Sequence, residues 1–137
     1  MGRKNSPSAN KELNELIAQY ETARAENRQL YLDGDQLADI ADQYAAGRKF
    51  NEAQEVITYG LHLHPDSTDL LVEQAYLYLD TGKIPLAKKV VESITDEYDT
   101  DVKMLKAELM LNEGQLENAR NVLDTIEDAD ELETIIN

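Results

Sequence analysis

Cysteine is absent from this 137-residue chain, and its absence removes several classes of protein at once. The chain can have no disulfide framework, no thiolate nucleophile and no zinc site built on cysteine. It also lacks a glycine-rich phosphate loop, and no serine or lysine stands in a recognisable nucleophile motif. We therefore expect a protein that is not an enzyme and that carries no cofactor.

Basic residues are scarce as well. The chain has 13 Lys and Arg against 28 Asp and Glu, which gives a formal net charge of -15. Such a charge repels nucleic-acid phosphates and anionic membranes, and it favours basic peptides or basic protein faces as partners. The alternative explanation is an acidic surface that only keeps the protein soluble.

Long hydrophobic runs are missing too. No apolar run approaches the roughly 20 residues that a membrane span requires. The first ten residues, MGRKNSPSAN, lack the hydrophobic segment of a signal peptide. These absences predict a cytoplasmic protein that has no membrane partner.

What the chain does have is helical spacing of its apolar residues. Between Asp35 and Pro65 they fall on one helical face on each side of Gly47, which predicts two short helices joined by a tight turn. Neither helix has an apolar stripe wide enough to fold alone. Each must pack on the other and on a neighbouring copy.

Two further copies begin at Thr68 and Thr100. They superpose without a gap, so that small residues recur at matched positions: Ala75 and Ala107, Gly82 and Gly114, Ala87 and Ala119. The spacing from Ala53 to Ala87 is 34 residues, and from Ala87 to Ala119 it is 32. These values are close to the period of about 34 residues of a tetratricopeptide array.

With this period, the sequence resembles the tetratricopeptide repeat (TPR) family. The first copy matches the family motif at Leu37, Ile40, Ala41, Tyr44, Ala53, Gly60 and Pro65, and the second matches it at Leu71, Ala75, Tyr78, Gly82 and Ala87. The third copy departs from the motif at two positions of its first helix, which hold Lys103 and Lys106. Lysine stems can lie along a half-buried surface while the charge reaches water.

The resemblance implies an all-α fold, an α-solenoid of TPR-type helix-turn-helix repeats with an extra N-terminal helix. The predicted helices of the repeats lie near residues 35–46, 50–63, 67–80, 84–95, 100–112 and 116–127. The predicted divisions are a disordered leader (1–9), an N-terminal packing and capping helix (10–32), repeats over 33–66, 67–99 and 100–128, and the start of a truncated fourth repeat (129–137).

The last eight residues begin another amphipathic pattern that stops after about two turns. We interpret the chain as the N-terminal part of a longer array. Leu132, Ile135 and Ile136 would then await a partner, and they could also support self-association.

In TPR arrays the first helices of the repeats line a concave groove, and the resemblance places that groove on an acidic surface with an apolar seam. It would suit a basic peptide or protein segment with one or two apolar anchors, and Tyr76 is the expected hot spot. The residues expected to bind are Asp35, Asp42, Asp69, Val72, Glu73, Tyr76, Leu79, Asp80, Met104, Glu108, Leu111 and Asn112.

Two alternatives stay open beside this scaffold. The array could be structural, its groove filled by further repeats or by a second copy. The protein could also bind a metal or act as an enzyme through carboxylates and His62 or His64. Residues two apart on a helix point in different directions, so we expect no metal site at this histidine pair and instead place both in the last turn before Pro65.

Overall fold

The structure, a computed structural model, describes the backbone of residues 7–136 and the side chains of residues 10–126. Over the described backbone the chain has no strand and forms seven helices: α1 (Pro7–Ala25), α2 (Gly34–Ala46), α3 (Phe50–Leu63), α4 (Thr68–Asp80), α5 (Ile84–Ser93), α6 (Thr100–Asn112) and α7 (Leu116–Ile136). The predicted all-α fold, with helical hairpins after one extra N-terminal helix, is confirmed. Helices α2 to α6 begin and end within two residues of their predicted bounds.

The chain divides into two compact units, Met1–Glu73 and Gln74–Asn137. The division falls inside α4, so this helix belongs in part to each unit. In the part of the chain that the structure describes, no helix combines the length and the apolar character needed to cross a membrane.

In the first unit α2 packs against α3. Leu37 and Ile40 of α2 and Ile57 of α3 are fully buried, as their spacing predicts. Burying side chains of this kind stabilises a fold by roughly 1.5–3 kcal/mol each. At the start of α2 the backbone N–H of Asp33 donates a hydrogen bond to the side-chain oxygen of Gln36 at 3.0 Å. This bond supplies an acceptor for a backbone N–H group that the helix itself leaves without one.

Gly60 lets the next helix approach α3 closely. A Cβ atom at this position would lie 2.8 Å from Cδ1 of Leu70 on α4 and 3.4 Å from Cδ1 of Leu37 on α2. Leu70 is itself fully buried, so its side chain has little room to move away. The small residue that the repeat pattern demands here is therefore explained by three-helix packing.

The turn inside each hairpin has one residue in the left-handed region. Gly82 and Gly114 have φ of 78° and 77°, and Arg48 takes φ of 61° at the corresponding position of the first repeat. Each turn closes with the same backbone hydrogen bond, such as Lys49 N–H to the Tyr44 carbonyl at 2.8 Å. The sequence places the break at Gly47, but the strained residue is the arginine after it.

Helix α1 packs on α2 and is shorter at its end than predicted. It begins at Pro7, inside the predicted leader, and ends at Ala25 rather than near residue 32. Asn27 adopts φ of 55°, and the N–H of Arg28 bonds the Ala23 carbonyl at 2.8 Å, an arrangement that closes a helix. Leu30 and Tyr31, which the spacing assigns to the helix, lie in the loop that follows it.

In the second unit α5 packs on α6, and α6 packs on α7. Val91 of α5, Leu105 of α6 and Ala119 of α7 are buried there. The Lys88 ammonium group on α5 lies 2.8 Å from the Glu113 carboxylate, which follows α6 directly.

Helix α7 is continuous from Leu116 to Ile136, where the sequence predicts one helix that ends near 127 and another that starts at 129. The segment contains neither glycine nor proline, so nothing in it breaks a helix. The predicted start of a truncated fourth repeat over 129–137 stays a prediction, because the continuous helix shows no turn at which it would begin. The side chains of Leu132, Ile135 and Ile136 lie outside the described residues, and their predicted self-association stays a prediction.

Candidate functional site

The predicted binding residues of the first unit differ in how far they reach the surface. Asp35 is exposed, and Asp42 and Asp69 are half-buried. Val72 and Glu73, on α4, are only 2% and 3% exposed. Both residues lie on the helix that the motif predicts for them. The motif does not reveal that their side chains are buried.

The second unit contains the other predicted residues, on the end of α4 and on α6. Tyr76 and Leu79 are half-buried, and Asp80 is exposed at the last residue of α4. On α6 the exposed side chains include Met104 (42%) and Leu111 (48%).

Met104, Glu108 and Leu111 form an exposed line along α6, which we call the α6 stripe. They are four and three residues apart, the spacing of one helical face, so Glu108 lies one turn from each apolar neighbour. The other side of α6, with Val102 and Leu105, is fully buried. The stripe therefore presents two apolar side chains with a carboxylate between them.

Asp80, at the end of α4, is near enough to Glu108 on α6 for the two negative charges to interact. Partial burial raises the pKa of Glu108, and the carboxylate of Asp80 raises that pKa further. Two negative groups near one another favour a cation that can approach both. The nearby Asn112 turns toward its own helix, because its side-chain amide donates to the Glu108 backbone carbonyl at 3.1 Å.

Neither histidine joins a metal cluster. The described residues contain no group of three or more His, Asp or Glu side chains placed to hold a metal ion. Nε2 of His64 donates to the Leu32 carbonyl at 2.8 Å, and its ring packs edge-on against Tyr31. His64 thus ties the loop before α2 to the end of α3, while His62 lies exposed in the last turn of α3.

Two pockets lie away from the predicted residues. One, of about 450 Å³ in the second unit, has an apolar floor that includes Val91 and Leu109, and its rim carries Lys88 and Glu113. The other, of about 210 Å³ in the first unit, lies at the end of α1. Sequence reasoning treats α1 only as a packing helix. The sequence does contain a signal for this pocket, which the prediction missed: Arg24 and Arg28 lie four residues apart in a strongly acidic chain.

A family model for the tetratricopeptide repeat matches residues 44–109. The match runs from the end of α2 into α6 and includes the predicted residues from Asp69 to Glu108. No curated protein and no solved structure matches the chain.

Proposed function

Because the chain belongs to the tetratricopeptide repeat family, we propose that it is a non-catalytic scaffold that binds a protein or peptide segment. The segment is basic with apolar anchors. It lies on the surface formed by the end of α4 and by the α6 stripe.

The exposure of Met104 and Leu111 is the observation that carries this proposal. Both are large apolar side chains on one face of a helix whose opposite face is buried. A partner that covers them removes apolar surface from water, which is worth about 25 cal/mol per Å². Tyr76, half-buried on α4 in the same unit, offers an aromatic side chain of the kind that acts as a hot spot.

The charges of the same surface support a basic partner. A lysine or arginine placed near Asp80 and Glu108 relieves their mutual repulsion and the unfavourable burial of the Glu108 charge. The net charge of -15 adds a long-range attraction for a cation and repels nucleic acid and anionic membranes. The first unit has acidic residues of its own among the predicted binding residues, Asp35, Asp42 and Asp69.

The test is a fluorescence anisotropy titration with a labelled peptide in which lysines alternate with leucines. A peptide of the same pattern with glutamate in place of lysine serves as the charge control. We expect binding of the basic peptide that weakens at least tenfold in a Met104→Ser, Leu111→Ser double variant and in Tyr76→Ala. Increasing salt weakens it as well.

Leu116→Ser is the matched control variant, because Leu116 is exposed (68%) at the start of α7 and lies outside the α6 stripe. It should bind like the unchanged protein. Equal affinity of the double variant and the control would reject this surface. A concentration-dependent dimer that is lost in the double variant would instead support the structural array.

A further inference from the structure

The pocket at the end of α1 has a lining unlike the rest of the chain. Its volume is about 210 Å³, below the range of drug-sized ligand sites and suited to a small group. Arg24, Asn27, Arg28 and Gln29 line it with hydrogen-bond donors. No carboxylate lines it, although the chain contains 28 acidic residues.

Tyr20, which also lines this pocket, has a polar group without a partner. It is 5% exposed, and its hydroxyl makes no hydrogen bond to any residue that the structure describes. The two tyrosines nearby differ, because Tyr59 donates to the Leu30 carbonyl at 2.9 Å and Tyr44 donates to Glu21. A buried hydroxyl left unpaired costs about 1–3 kcal/mol, so an acceptor at this place would be favourable.

The two guanidinium groups of the pocket can turn toward a ligand. The guanidinium group of Arg24 lies 4.0 Å from the Glu55 carboxylate, and that of Arg28 lies 2.7 Å from the Glu26 carboxylate. All four side chains are more than half exposed, and such surface pairs contribute little to stability. Arg24 also lies over the Tyr59 ring, 5.9 Å from its centre, which keeps this arginine at the pocket.

We propose that this pocket binds a small oxyanion, a carboxylate or a phosphate group, held by Arg24 and Arg28 and accepting a hydrogen bond from the Tyr20 hydroxyl. Guanidinium groups bind both anions through paired N–H donors, and a hydroxyl completes their coordination. The site belongs to the first unit and uses none of the residues proposed to bind the basic segment.

The test is an NMR titration of the full chain with inorganic phosphate and, separately, with glutarate. Sodium chloride at matched ionic strength is the reference. We expect saturable shifts of amide signals in residues 20–30 and at Tyr59 for at least one anion. Tighter binding of glutarate would identify a carboxylate as the natural ligand group, and tighter binding of phosphate would identify a phosphate.

Two kinds of variant make the assignment specific. Arg24→Gln and Arg28→Gln should each weaken binding about tenfold, as expected for loss of a charge-assisted hydrogen bond. Arg48→Gln, which makes the same charge change at a residue that packs over Phe50 outside the pocket, should bind like the unchanged protein.

Tyr20→Phe separates a ligand contact from a packing role. It should raise the stability of the ligand-free protein, because it removes the unpaired hydroxyl, and yet weaken anion binding about tenfold. Shifts no different from those with sodium chloride would overturn the proposal. So would a Tyr20→Phe variant that is stabilised but binds with unchanged affinity.

Discussion

The carboxylates of Asp80, at the end of α4, and of Glu108, in the middle of α6, repel each other within the second unit. Burial is the larger cause of the raised Glu108 pKa, and the charge of Asp80 adds to it. Such a carboxylate destabilises the unbound protein and favours the binding of a cation. Groups with shifted pKa values of this kind are common in binding sites.

The first prediction concerns stability against pH. The pKa of Glu108 is raised in the folded state, which means that the fold favours the protonated side chain. Its favourable contribution to stability is therefore present below the ordinary glutamate pKa and is lost as pH rises through the folded-state pKa. At pH 7 the ionised side chain is therefore destabilising. Glu108→Gln should raise the free energy of unfolding at pH 7 by a few tenths of a kcal/mol, since the site is exposed.

Urea unfolding at pH 7 and at pH 3.5 measures the effect, which should disappear at the lower pH. Glu97→Gln, in the exposed loop before α6, is the control and should show no such gain. The same Glu108 variant should bind the basic peptide more weakly. A Glu108→Gln protein that is less stable than the unchanged one at pH 7 would contradict the argument.

The second prediction concerns the left-handed residue of the first turn. Arg48 carries a backbone strain of about 1–2 kcal/mol that Gly82 and Gly114 avoid. Replacement by glycine removes this strain but also loses the contact with Phe50 and increases the freedom of the unfolded chain. We expect Arg48→Gly to stabilise the protein by about 0.5 kcal/mol in thermal unfolding.

The reciprocal change is the control. A Cβ atom at Gly82 would meet nothing within 4 Å, so Gly82→Ala tests the backbone alone and should destabilise by about 1 kcal/mol. A neutral Gly82→Ala would show that the positive φ does not govern these turns.

The third prediction concerns the close approach at Gly60. Gly60→Ala gains about 1 kcal/mol of helix propensity but forces the buried Leu70 side chain to move, which costs about 1–3 kcal/mol. The net expectation is a loss of about 1 kcal/mol in urea unfolding. Gly47→Ala, where a Cβ meets its first neighbour at 3.6 Å, should be neutral or slightly stabilising. Equal effects at both glycines would exclude helix crowding as the reason.

The fourth prediction concerns Tyr44, whose hydroxyl donates to Glu21 and so joins α2 to α1. Burial, followed by this hydrogen bond, raises the Tyr44 pKa, so its stabilising effect is complete below the ordinary tyrosine pKa of 10.0 and is lost as pH rises beyond it. Tyr44→Phe should lower the free energy of unfolding at pH 7 by about 1.5 kcal/mol.

The Tyr44 variant should also lose less stability than the unchanged protein between pH 9 and pH 11, when circular dichroism is followed during urea unfolding. Tyr98→Phe is the control, because Tyr98 is 86% exposed, and it should change neither quantity. Parallel pH profiles for Tyr44→Phe and the unchanged protein would argue against the link between Tyr44 and alkaline unfolding.

Much of the fold could be predicted because apolar spacing and small residues carry most of its information. Leu37, Ile40 and Ile57 are buried as their period requires. The end of α1 could not be predicted, since the apolar spacing continues through Leu30 and Tyr31 while Asn27 closes the helix by a backbone conformation that the spacing does not reveal.

For the candidate site, the repeat motif assigns Met104 and Leu111 to a binding groove, and the structure shows that both side chains are exposed, while their role in binding stays a prediction. It could not indicate that Val72 and Glu73 are covered, because burial depends on packing between copies rather than on position within one copy. The pocket beside Tyr20 was also beyond prediction, since it is formed by residues from α1, the loop after it and α3.

The position of Leu70 shows that the boundary between sequence repeats does not coincide with the boundary between packed cores. The second copy begins near residue 67, yet the first residues of α4 complete the core around Gly60 and Leu37 of the copy before it. A fragment cut at the sequence boundary would leave that core open, whereas one that ends after α4 would keep it closed. The smallest piece of this chain that can be expected to fold independently is therefore a repeat together with the helix that follows it.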